Sequence, residues 1–89
     1  MAARLAPEVL EDDIAVSLAR VMAAANKRAR ELSVDVDQSL ITITQLALNG
    51  GVLWRINYGS KDYVGRRGGD VSIEVDPNDA TITRVLRGQ

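Results

Sequence analysis

The chain contains no cysteine and no histidine, and only three aromatic residues: one tryptophan, two tyrosines and no phenylalanine. Without cysteine there is no disulfide framework, no thiolate metal site and no cysteine nucleophile. Without histidine the commonest general base and the commonest metal ligand are missing as well. The expectation is a protein that is not an enzyme and holds no cofactor or metal. Charge of one sign is also lacking: 11 basic against 12 acidic residues leave a net charge of -1. Such a balance gives no global field toward nucleic acid or an anionic membrane, so either would need a local patch.

Long apolar runs are absent too, and no stretch approaches the roughly 18 to 20 residues of a membrane span. The first residues, "MAARLAPEVLEDD", show no apolar segment with a cleavage site, so a cytoplasmic location is expected. What the chain does have is 46% hydrophobic and 26% charged residues in 89 positions. That is the composition of a folded globular domain at the small end of sizes that fold unaided, and one domain over 1–89 is expected.

Leu10, Ile14, Leu18, Val21, Ala25, Ala29 and Leu32 recur in steps of four and three, which predicts one long helix over 7–32. Pro7 suits its first turn. Glu8, Glu11, Asp12 and Asp13 gather at its positive end, and Lys27, Arg28 and Arg30 at its negative end. Alanines in the second half of the stripe would let this helix lie close on a flat sheet.

Four strands are expected at 39–48, 52–59, 70–76 and 80–87. The first alternates imperfectly: Ile41 and Ile43 point one way, Leu46 and Leu48 the other. Either a bulge lies near Thr44 and Gln45 or both faces are partly covered. Asn49-Gly50-Gly51 tolerates the positive φ of a tight hairpin. In the second strand Val52, Trp54, Ile56 and Tyr58 share the face expected to meet the helix. In the third, Val71, Ile73 and Val75 point inward, and Ser72 and Glu74 outward. Asp76-Pro77-Asn78-Asp79 reads as a turn whose Asp and Asn accept local backbone hydrogen bonds, which explains those oxygens better than calcium does. Arg84 and Arg87 mark the last strand as a solvated edge. The fold class is therefore α+β, a long N-terminal helix on a four-stranded antiparallel meander.

Trp54 to Tyr58, the run Val71 to Asp76, and Ile82 and Val85 after the turn resemble the pattern of the small PepSY domain family. A cystatin-like arrangement of helix on sheet is the broader analogy. The turn departs from the pattern in carrying Asp79-Ala80 where glycine is commoner. The resemblance implies a protein-binding module of regulatory or inhibitory kind, and it brings no catalytic residues.

Function is thus expected to be interaction with a protein partner or self-assembly, a homo-oligomer with the dimer favoured. Three regions could carry it. The connection "YGSKDYVGRRGGD" is longer than a hairpin needs and would present Tyr63 and Val64 near its tip. Leu53, with Leu46 or Leu48, would form an apolar patch on the sheet face away from the helix. Val9 and Val16, with Ala23, lie at heptad spacing nearly opposite the main helical stripe and would form a second packing surface. The alternative is a small-ligand or nucleic-acid phosphate binder in which Arg66 and Arg67, with Arg55 and Lys61, face the anion. No helix follows that loop to add its dipole, and neither phosphate-loop glycine pattern is present.

Overall fold

A computed structural model of the chain describes residues 6–60 and 70–87. A single turn, α1 (Pro7–Leu10), precedes the main helix, α2 (Asp13–Glu31); a 3-10 turn at Val36–Gln38 leads into four strands, β1 (Ser39–Leu48), β2 (Gly51–Ser60), β3 (Val71–Asp76) and β4 (Thr81–Arg87). The strands form one antiparallel sheet in the order β1-β2-β3-β4, with α2 packed across one face. The α+β class and the meander expected from the sequence are those observed.

The helix is not continuous over 7–32. It breaks at Glu11 and Asp12, where Asp12 leaves the helical conformation and its Oδ1 accepts the Ala15 N–H at 3.0 Å. An aspartate followed by further acids satisfies orphan donors of a new helix better than it continues an old one. At the other end Ser33 adopts φ 68, and Val34 N–H donates to Ala29 O while Ser33 N–H donates to Arg30 O. This pair of bonds is a Schellman closure, built on serine where glycine is usual.

Val21, Ala25 and Ala29 are the residues of α2 that are fully buried, and the short alanine side chains bring its axis close to the sheet. They meet Ile56 and Tyr58 of β2 and Val71, Ile73 and Val75 of β3, while Val36 closes one end. The helix lies chiefly on β3, with β2 and β4 at its margins. Nineteen residues of helix extend about 28 Å, whereas the six of β3 reach only about 20 Å. Burial accordingly begins at Val21, and the first turns overhang the sheet.

β1 and β2 pair without interruption from Ser39–Ser60 to Leu48–Gly51. No bulge interrupts the ladder at Thr44 or Gln45, so the imperfect alternation of β1 reflects apolar residues on both faces. Asn49 and Gly50 both hold positive φ, 39 and 81, the pair of values that a two-residue hairpin turn requires. Among the described residues the one register irregularity of the sheet sits between β3 and β4, at Glu74 and Val75. In the following turn Asp76 Oδ1 accepts from Asn78 N–H at 2.9 Å and Asp79 Oδ1 from Thr81 N–H at 3.0 Å, as turn chemistry predicts.

Candidate functional site

Ile56 and Tyr58 face the helix and are buried, and their ladder partners in β1 are Ile43 and Ile41. Residues directly opposite in an antiparallel pair share a face. Both isoleucines therefore lie on the helix side of the sheet. Yet they remain 41% and 38% exposed, because α2 passes over β3 and not over the β1 edge. Val52, on the same face, is also exposed, and Trp54 is only half-buried. Of the four β2 residues expected to meet the helix, Ile56 and Tyr58 do so fully.

The overhanging helix adds to this surface. Leu10 and Ile14 belong to the core-facing stripe but are 60% and 69% exposed. Ile14 lines a cleft of about 260 Å3 together with Gln45, Val52, Trp54 and Pro77. The helix and the first hairpin thus leave a wedge of mixed lining between them, where Asp13, Ser17 and Asn78 stand beside Ile14, Val52 and Trp54.

Val9 and Val16 are half-buried while Ala23 is exposed, so the three do not form one outward surface. The break at Glu11 and Asp12 separates Val9 from the helix that carries Val16 and ends the heptad phase between them. Leu53 is placed as expected on the face away from the helix, opposite Leu46 in the ladder, and both are half-buried. Tyr63, Val64, Arg66 and Arg67, with Lys61, lie outside the described residues.

The far face of the sheet carries a polar row across β2, β3 and β4 beside its leucines. Glu74 is 4% exposed although it points away from the helix, because two arginines roof it. Arg55 donates through Nε and Nη2 to Oε2 at 3.0 and 2.9 Å, and Arg84 Nε stands 3.3 Å from Oε1. Burial alone would raise the Glu74 carboxyl; the hydrogen bonds and charges of both arginines outweigh it and hold it below the ordinary glutamate value. Beside this row Ser72 Oγ donates to Asn57 Oδ1 at 2.7 Å. Arg55 and Arg84 are thereby engaged within the sheet, not presented as a free pair to an anion.

A second cleft, about 420 Å3, opens below the C-terminus of α2 between Asp35, Gln38, Tyr58, Val71 and Arg87. The Tyr58 hydroxyl donates to Asn26 Oδ1 at 2.6 Å, and burial pushes its pKa up to about 12 despite the opposing charge of Arg30. This group is a fixed donor of the core at neutral pH. Among the described residues no three acidic side chains gather in an arrangement that would hold a metal ion.

Fold and surface together define a small α+β domain whose helix covers part of one sheet face. No protein-family model matches the chain, and neither a curated protein nor a solved structure does. No helix among the described residues is long and apolar enough to cross a membrane.

The sequence points to the loop, to Leu53 and to Val9 with Val16, and not to a surface made by Ile41, Ile43, Leu10 and Ile14. A signal for them exists. β1 is the first strand of a meander and must be an edge, yet "SLITITQLAL" contains no charge and no proline. Edge strands without such guards are ready to pair.

Proposed function

We propose that this chain is a non-catalytic association module that joins a protein surface through the β1 side of its sheet. One observation carries the reading: Ile41, Ile43 and Val52 stand on the helix side of the sheet without a helix over them. With Leu10 and Ile14, also exposed, these are large apolar side chains left open to solvent on the helix side, the kind of surface that marks interaction sites when it is contiguous. The regulatory or inhibitory role that the PepSY resemblance implies is one form such an association would take. The missing histidine and cysteine support a non-catalytic reading.

The test compares the wild type with the double substitution Ile41→Ser and Ile43→Ser, by light scattering on pure protein and by cross-linked capture from cell extract. The two side chains are 38% and 41% exposed, so each change removes a partly covered aliphatic group and should cost the isolated domain about 1 to 2 kcal/mol, which a melting curve of the variant separates from loss of association. The expected result is an association, with itself or with another protein, that the double substitution abolishes. A wild type that neither self-associates nor captures a protein in a manner sensitive to these two positions overturns the proposal.

A further inference from the structure

We infer that the occupant of the open edge is a second copy of the chain, with β1 pairing antiparallel to the partner's β1 about a two-fold axis through Thr42. This rests on the association reading above and specifies its partner.

The two edges of the sheet differ in their defences. β4 carries Arg84 and Arg87 and is distorted by the irregularity at Glu74 and Val75. Cationic side chains and bulges are the means by which natural sheets prevent an edge from pairing. β1 has ten residues in unbroken register and none of these guards. An uncharged strand pairs with its own copy without like-charge repulsion, whereas a charged partner strand would find no counter-charge along it.

Register follows from the side chains. Faces match only if paired positions sum to an even number, because side chains alternate with period two. With Thr42 on the axis, Ile41 stands opposite the partner's Ile43 and Ile43 opposite the partner's Ile41. Thr42 meets the partner's Thr42 on the other face. Four isoleucines then form one cluster on the helix side, each covering part of another's exposed surface, and β-branched cross-strand pairs are favourable. Moving the axis to Ile43 would set Ile41 against Gln45 and leave one pair of opposed isoleucines, Ile43 against its own copy, in place of two. The product is an eight-stranded sheet with a helix toward each end.

The core of the single chain gives such pairing a thermodynamic role. Its buried apolar set among the described residues contains two alanines and no side chain larger than Tyr58. Domains of this size gain disproportionately from surface buried on association.

The test uses the full chain, which has no native cysteine to interfere. Thr42→Cys places one thiol on the proposed axis, and Thr81→Cys places one on exposed β4 as the control. Under mild oxidation the first should form a covalent dimer rapidly and the second at least tenfold more slowly. An equimolar mixture of Ile41→Cys and Ile43→Cys chains should give mostly mixed dimers. Light scattering on the wild type should give twice the mass of the chain.

If the protein is a dimer in which Thr42→Cys stays reduced while Thr81→Cys cross-links, the β1 pairing is wrong, and the association reading stands only if another protein is captured in a manner that Ile41→Ser with Ile43→Ser abolishes. A wild type that remains a monomer at about 1 mM, a concentration at which even weak pairing shows, overturns the inference. In that case capture of another protein through Ile41 and Ile43 decides separately whether the association reading stands.

Discussion

At the scale of single residues, the arginines around Glu74 set a definite pH dependence. The carboxylate is almost fully covered, but its partners are not: the side chains of Arg55 and Arg84 are 38% and 59% exposed. The pair of charges has therefore lost little hydration on the cationic side, and the net gain is that of hydrogen bonds to a charged group. Glu74→Gln should cost about 1 to 2 kcal/mol at neutral pH. The sign follows from the depressed carboxyl: the unfolded chain binds the proton more readily than the folded one. This stabilisation is fully present above the ordinary glutamate value of 4.5 and is lost as pH falls through the lower folded value. Urea midpoints measured from pH 7 to pH 3 should show the gap between wild type and variant closing below about pH 4.5. A gap that persists unchanged at pH 3 would show that charge plays no part in it.

At the scale of elements, what was legible depended on whether the deciding signal was local. Asn49-Gly50 and Asp76-Pro77-Asn78-Asp79 declare turns by their own backbone preferences, and the strand boundaries fall within one residue of expectation. The helical period was equally local. Its interruption was not, because Asp12 suits both the first turn of one long helix and the cap of a second, and only the chosen backbone distinguishes them. The closure at Ser33 is another device invisible to periodicity. Ser33 is exposed and holds a left-handed conformation that costs an L-residue free energy which glycine avoids. Ser33→Gly should therefore stabilise the protein by about 0.5 to 1 kcal/mol, read as a rise in Tm of roughly 2 to 8 °C. A fall in Tm would mean that the serine side chain makes a contribution that its exposure does not reveal.

At the scale of the whole molecule, the site arises from a mismatch that no single segment encodes. Four strands present a wider face than one helix covers, and a helix of this length outruns β3, the six-residue strand on which it chiefly lies. Which strand is left uncovered depends on where α2 settles across the sheet. That is decided by the alanines and Val21 docking on β3, a long-range fit. The same mismatch predicts how stability is distributed. Buried apolar contacts concentrate where Val21, Ala25 and Ala29 meet Ile56, Tyr58, Ile73 and Val75, and regions poor in such contacts open locally at small free-energy cost. Amide hydrogen exchange should find the slowest protons in β2, β3 and the half of α2 from Val21 onward, at the level of global unfolding. Amides from Val9 to Val16 should exchange many-fold faster despite their helical hydrogen bonds, since none of those residues is buried. Protection there as strong as in β3 would contradict this distribution and require a surface that covers Leu10 and Ile14. Because pairing of two β1 strands buries the sheet edge and not the overhang, the fast exchange of 9–16 should hold at dilute and concentrated protein alike. Protection of β1 should instead rise with concentration.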